Sequence, residues 1–311
     1  LKIYQSLDAY TASGKTVVTL GTFDGVHKGH KILLAQLQRE AQHSGGEGVI
    51  LTFFPHPRMV LQQSSDVKLL NTIDEKAALL EACGIDSLII HPFSHEFSRL
   101  TAEEFVKDIL VGRLNIAKMI IGHDHRFGRN RTATTTDLVT MGRQYGFEVI
   151  QLSALEVHDT PVSSTKVRNA LMAGDIALAN DYLGYPYFIT GIVGKGKQLG
   201  RTIGFPTANI VVHESYKLIP SHGVYAVSAV IAGKTVFGMM NIGTRPTVNG
   251  TDETIEVNFL DFEADIYDAQ LKVSLHHRLR GEQKFEGLDA LKTQLHKDRE
   301  ATAQYFKSLP V

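Results

Sequence analysis

"TLGTFDGVHKGHKILLAQL", Thr19–Leu37, joins an apolar run to an amphipathic one through a turn rich in glycine and bearing two histidines. The run that leads into it, "KTVVTL" (Lys15–Leu20), reads as a strand, and the periodic apolar residues after it predict a helix from about Gly29 to Ser44. A strand that hands over to a helix through glycines is where an open α/β sheet presents its ligand crevice. Free N–H groups and the positive dipole end at the helix start favour a phosphate, and Gly21, Gly25 and Gly29 let the backbone approach it closely. His27 and His30, one turn apart, fall on one face near that start and suit hydrogen bonds to phosphate oxygens. Two other readings use the same residue types: zinc ligation together with His123 and His125, or ordinary surface histidines in a chain that has 14. Spacing alone leaves all three open.

Outward from this turn, the first half alternates strand-like runs with helical periodicity. "GVILTFF", "SLIIHPF", "KMIIGH" and "FEVIQL" are apolar without alternation, as expected of strands covered on both faces. Capping boxes at Thr72/Glu75 and Thr101/Glu104 mark helix starts. The pattern predicts a parallel sheet in a doubly wound, Rossmann-like α/β domain. After "GDIALANDYLGYP" the rhythm changes to successive strand-like runs separated by Gly, Pro and Asn, with no helix expected between Tyr187 and Leu279. That half reads as an antiparallel β-barrel or sandwich closed by a helix from about Leu288 to Leu309, with Leu288, Leu291 and Leu295 on one face. The domains are expected at 1–184 and 185–311.

The 311 residues suit two domains, and 43% apolar with 21% charged residues is ordinary for a globular protein. A net charge of −1 is low for a chain that grips nucleic acid through phosphates, and no apolar run reaches the roughly 18 residues of a membrane span. Cys83 is the single cysteine, and its apolar neighbours suit a small packed hydrophobe better than a nucleophile. The first ten residues lack the features of a signal peptide. The expectation is a cytoplasmic protein, monomeric or weakly self-associating, without nucleic-acid or membrane partners.

Further stretches carry chemistry. "GHDHRFGRNRT" (Gly122–Thr132) places Asp124 and three arginines after a strand, and "VSSTKVRNAL" (Val162–Leu171) puts Ser163, Ser164 and Thr165 at a helix start with Lys166 and Arg168 in its first turn, a second anion cradle. "GIVGKGKQ" (Gly191–Gln198) imitates a P-loop but lacks the terminal hydroxyl and the following helix; Gly194 and Gly196 still permit a glycine flap over phosphates. In "GRTIGFPTANI", Thr207 and Asn209 share one strand face and offer oxygen ligands that suit Mg²⁺, although a turn and a surface strand explain them equally. Glu256 faces away from Ile255, Val257 and Phe259, as either a solvated acid or a general base for an alcohol.

"GTFDGVHKGH" with "VSSTKVR" and "FFPHPR" resembles the FMN-adenylylating branch of the HxGH nucleotidyltransferases, and "GRTIGFPTANI", "GVYAV", "NIGTRPT", "TIEVNFLDF" and "LRGEQKF" resemble the riboflavin kinase barrel. Together they resemble the bacterial bifunctional riboflavin kinase/FAD synthetases over nearly the whole chain. The resemblance implies that riboflavin is phosphorylated to FMN and FMN adenylylated to FAD, with ATP as co-substrate and Mg²⁺ as cofactor. It implies that Gly21, Thr22, Phe23, Gly25, His27, Gly29 and His30 meet ATP, and that Asp124, Ser164, Thr165 and Arg168 help hold nucleotide and pyrophosphate. Phe54, Pro57 and Arg58 belong to its flavin-binding pattern; in the barrel, Thr207 and Asn209 hold Mg²⁺ and ATP, Glu256 is the base and Arg280 lies by the flavin. His125 departs from the aromatic residue that the family commonly carries there.

Overall fold

The computed structural model describes residues 1–61, 67–122, 126–129, 132–152, 162–196, 199–247 and 250–309. By internal contacts the chain forms two compact units, Leu1–Ser164 and Thr165–Val311.

In the first unit, β1 (Lys2–Tyr4), β2 (Thr16–Leu20), β3 (Glu47–Phe53), β4 (Ser87–His91), β5 (Ile116–Ile121) and β6 (Glu148–Gln151) make one parallel sheet in the order β1-β4-β3-β2-β5-β6. Its helices are α1 (Lys28–Ser44), α2 (Pro57–Leu61), α3 (Ile73–Ala82), α4 (Ala102–Glu104), which runs into a wider-wound turn at Phe105–Val111, and α5 (Thr135–Tyr145). On one face Leu34 and Leu37 of α1 and Leu80 of α3 pack against Val17, Ile50 and Leu88. On the other, Val106, Leu110 and Leu138 pack against Val18, Val49, Leu51, Ile89 and Met119. Both faces are therefore covered, which is why these strands read as unbroken apolar runs. Both capping boxes form: Glu75 N–H donates to Thr72 Oγ1 at 3.1 Å and Glu104 N–H to Thr101 Oγ1 at 3.2 Å. Winding runs from β2 to β3 and β4 on one side and to β5 and β6 on the other, so the turn after β2 lies at the topological switch point.

In the second unit α6 (Ser164–Ala173, its first residue belonging to the first unit) and α7 (Ile176–Leu183) precede a closed antiparallel barrel. Its strands are β7 (Phe188–Gly194), β8 (Ala208–Val211), β9 (Gly223–Ile231), β10 (Lys234–Thr247), β11 (Gly250–Phe259) and β12 (Gln270–Arg280), in the order β10-β11-β8-β7-β12-β9. Both helices are tied to the barrel. Ser221 N–H donates to Leu171 O at 3.2 Å, Asn180 Nδ2 donates to Leu275 O at 2.9 Å, and Asn180 Oδ1 accepts from Tyr187 N–H at 2.7 Å. The change of rhythm near Gly184 thus marks the first barrel strand, while the physical grouping begins two helices earlier.

One expectation is corrected. A four-residue helix, α8 (Leu199–Thr202), lies between β7 and β8; it is too short to leave a helical period. The terminal helix α9 (Leu288–Ser308) forms as expected, but its leucine face is only partly covered: Leu288 is 64% exposed, Leu295 packs against Phe205, Val224 and Met239, and the fully covered positions are Asp298 and Thr302. Asp298 is sequestered because Arg280 of β12 neutralises it, with Nε–Oδ1 at 3.0 Å and Nη2–Oδ2 at 2.8 Å, while Gln294 Nε2 donates at 2.8 Å. Phe306 adds a stack on Phe237 at 4.1 Å.

Candidate functional site

The turn between β2 and α1 is built under backbone constraint. Phe23 and Val26 have positive φ of 46° and 36°, beside Gly25 at 87°, and both side chains are buried. Non-glycine residues in this region are held by their surroundings rather than by preference. Gly21 N–H donates to Leu51 O at 3.1 Å, Thr52 Oγ1 donates to Thr22 O at 3.4 Å, and buried Asp24 accepts from Leu70 N–H at 2.8 Å. Ser164 Oγ donates to the Asp24 carbonyl at 2.9 Å, so one hydroxyl of the second predicted cradle reaches this turn. Thr165, exposed, and Arg168, half-buried, continue α6 beyond the division between the units.

His27 is the N-cap of α1, its Nδ1 accepting from His30 N–H at 3.3 Å, so a neutral His27 carries its proton on Nε2. The two rings stack at 3.6 Å and 14°, and Phe23 supports His30 at 5.1 Å. Burial lowers His27 to about 4, with the charge of Asp24 working against it. His30 is lowered well below its usual value by burial, then by the charges of His27 and Lys76; its Nδ1 is sealed and unpartnered although the side chain is only partly buried as a whole. Both imidazoles are therefore neutral N–H donors at physiological pH. Stacked rings present nearly parallel nitrogen lone pairs that do not converge on one ion, while His123 and His125 of the zinc reading lie outside the described residues. The arrangement favours an anion over zinc.

Phe54, Pro57 and Arg58 leave the C-terminal end of β3, beside the end of β2; Phe54 is half-buried, Pro57 opens α2 and Arg58 is exposed. Gly29 lies in the first turn of α1. Asp124, with His123 and His125, lies outside the described residues.

In the barrel, pairing register assembles the second group. Asn209 of β8 lies opposite Gly194 of β7 and Glu256 of β11, and Glu256 lies opposite Asn241 of β10. Directly paired residues share a face, so Gly194, Asn209, Glu256 and Asn241 form one row, opposite the buried Ile255 and Val257. A Cβ on Gly196 would overlap the Asn209 amide, so only glycine lets this segment lie over that side chain. Thr207 precedes β8 by one residue and lines a cavity of 280 Å³ with Val193, Arg201, Phe259 and Tyr267. β7 pairs antiparallel with β8 rather than feeding a P-loop helix. Arg280, expected beside the flavin, has its guanidinium engaged by Asp298 and by Gly281 O at 3.0 Å.

Sequence reasoning missed Asp24 and Lys76, whose charges act on His27 and His30 from the turn and from α3, and the buried Asn71 just before α3. Their signal was burial of polar side chains, which no periodicity exposes. Asn241 was missed as well, because only strand register brings it to Glu256.

Residues 10–166 match the FAD synthetase family and residues 183–306 the riboflavin kinase family. The chain is 38% identical over 291 residues to the bifunctional riboflavin kinase/FMN adenylyltransferase of Escherichia coli strain K12, covering 93% of this chain and 92% of that protein. It is 36% identical to the Bacillus subtilis protein of the same name, covering 95% and 94%. A crystal structure titled as a macrolide-efflux protein from Streptococcus pneumoniae superposes with a TM-score of 0.88 at 32% identity, covering 97% and 98%. Among the described residues of this chain, no helix is long and apolar enough to cross a membrane.

Proposed function

The chain belongs to the bifunctional riboflavin kinase/FMN adenylyltransferase family, and from that premise we infer that its two units perform successive steps of flavin cofactor synthesis. The barrel phosphorylates riboflavin to FMN with ATP; the α/β unit joins FMN to the AMP moiety of a second ATP, giving FAD and pyrophosphate. The observation that carries the division of labour is the pair of separate polar constellations, stacked neutral histidines at a helix start and the Gly194–Asn209–Glu256 row in the barrel.

In the barrel, Glu256 takes the proton of the ribityl 5′-hydroxyl as that oxygen attacks the γ-phosphorus and ADP leaves. Its place opposite Asn209, the residue that the Gly194–Gly196 segment approaches, supports this role. A hydroxyl, an amide oxygen and a carboxylate are a hard donor set that fits Mg²⁺ shared with phosphate oxygens, with Thr207 and Asn209 as the protein ligands. When bound, the ion neutralises phosphate charge. The cavity beside Thr207 supports a nucleotide on that side.

In the α/β unit an FMN phosphate oxygen attacks the α-phosphorus and pyrophosphate leaves. His27 and His30 orient and stabilise the phosphates as neutral donors, with the glycine turn supplying backbone N–H groups. Ser164 supports that turn, Thr165 and Arg168 serve the leaving group, Phe54, Pro57 and Arg58 serve the flavin, and Asp124 the nucleotide. Arg280 anchors the flavin side of the barrel through α9. We place the catalytic modules at 1–184 and 185–311, supported by the two family matches, in a cytoplasmic protein that is monomeric or weakly self-associating.

Incubation with riboflavin, ATP and Mg²⁺ followed by chromatography should yield FMN and FAD. His30→Ala should stop FAD formation while FMN accumulates; Glu256→Gln should stop FMN formation yet leave added FMN convertible to FAD. Loss of both activities in either folded variant would refute the two-site reading.

A further inference from the structure

The start of α3 breaks a local rule. With Thr72 as N-cap, Asn71 is the residue before the cap and Lys76 the fourth residue of the helix. These two positions normally carry an apolar pair that packs together as a staple. Here they carry an amide and an ammonium, and both are nearly inaccessible, Asn71 at 1% and Lys76 at 2% exposure. Neither polar end of the Asn71 amide has a hydrogen-bond partner. The Lys76 backbone N–H donates to Thr72 O at 3.0 Å, but its ammonium makes no hydrogen bond or ion pair with any described residue; its charge is felt by Asp24 and by His30.

A buried ammonium without a direct counter-ion, beside an amide with neither end satisfied, is costly to keep in a folded chain. The same corner holds two more sealed polar atoms, His30 Nδ1 and Thr19 Oγ1. Thr19 lies on β2 two residues from Val17, on the face that α1 and α3 cover. Local departures of this kind are retained where a ligand supplies the missing partner.

We propose that Lys76, with Asn71 beside it, belongs to the polyphosphate-binding machinery of the α/β unit, its ammonium contacting the triphosphate of ATP and then the departing pyrophosphate. This deepens, and rests on, the reading that this unit adenylylates FMN. The chemistry fits. The two histidines bring N–H donors but no charge, whereas the leaving group gains negative charge as the α-phosphorus–oxygen bond breaks. Lys76 brings a positive charge that the histidine pair lacks, in addition to that of Arg168. Asp24 is the acidic group facing it, and that attraction opposes the loss of the ammonium proton that burial promotes.

The test compares wild-type protein with Lys76→Met and Lys76→Arg. FAD formation is started from FMN, which bypasses the kinase step. In K76M, kcat/KM for ATP should fall about 10- to 100-fold and the inhibition constant of added pyrophosphate should rise by a similar factor, the usual weight of a charge-assisted hydrogen bond. K76R should retain most of both. Without ligand, K76M should melt at or above the wild-type temperature, because a buried unpaired charge has been replaced by an apolar chain of similar size. Kinetic constants within twofold of wild type would overturn the proposal, and so would a ligand-free melting temperature well below wild type, which marks a structural cation. Should K76M not fold, Lys76→Gln is read against the same outcomes. Calorimetric titration of pyrophosphate separates the two layers of inference. Weaker binding to K76M supports Lys76 even if wild-type protein were to make no FAD, a result that would strike the adenylylation reading instead.

Discussion

Replacing Asp298 by alanine should loosen the terminal helix from the barrel. The Asp298 carboxylate accepts from Arg280 Nε and Nη2 and from Gln294 Nε2, and the two charged side chains are only 17% and 4% exposed. Removing the acid leaves a largely buried guanidinium without its counter-ion, which costs about 3–5 kcal/mol in comparable settings. Arg280 keeps the Gly281 carbonyl, so the lower figure applies. About 3 kcal/mol corresponds to roughly 100-fold more frequent opening of the helix, read as faster amide hydrogen exchange in peptides from 288–308. The double replacement Arg280→Met/Asp298→Leu removes both charges together and should bring exchange back to within about tenfold of wild type. Exchange in D298A within threefold of wild type would refute the view that this pair anchors α9. The same variants separate two roles for Arg280. If the guanidinium acts on riboflavin only by anchoring α9, the double replacement restores the riboflavin KM that R280M raises; if it touches the flavin, KM stays high.

Two more outcomes follow from the sites. His27 titrates near 4 instead of 6.5. The unfolded chain therefore takes up this proton before the folded one, so the contribution of His27 to stability is complete above pH 6.5 and is lost as pH falls to about 4. At about 1.4 kcal/mol per pH unit this approaches 3 kcal/mol. NMR titration should place the imidazole near 4, FAD formation should show no acid limb from His27 between pH 8 and 5, and an imidazole titrating at 6 or above would contradict the buried N-cap geometry. Gly196→Ala should lower riboflavin phosphorylation more than tenfold, because the added methyl displaces the Asn209 amide, and should leave FMN-to-FAD conversion unchanged. An unaffected kinase rate would remove the glycine segment from the phosphate site.

Much of the molecule was legible because its signals are local. Unbroken apolar runs announced strands covered on both sides, and both capping boxes form as their residues suggest. His27 and His30 were legible because a helix start fixes the geometry of its first turn whatever surrounds it. What escaped depends on long-range burial. The leucines at 288, 291 and 295 suggested an apolar face for α9, yet its buried anchors are Asp298 and Thr302, made tolerable by Arg280 eighteen positions before the acid. Lys76, one residue after a capping glutamate, carries no local signal that would set it apart from a solvated helix lysine.

The amino-acid order by itself determined the alternation of strand and helix and the switch to barrel strands after Gly184, since each follows from backbone preferences over a few neighbours. Only the tertiary structure decided that the histidines stack and stay uncharged, that Lys76 is buried near them rather than solvated, and, in the barrel, that Asn209 and Glu256 meet across a strand pair. Those properties arise from desolvation and register, which are set by residues distant in the chain.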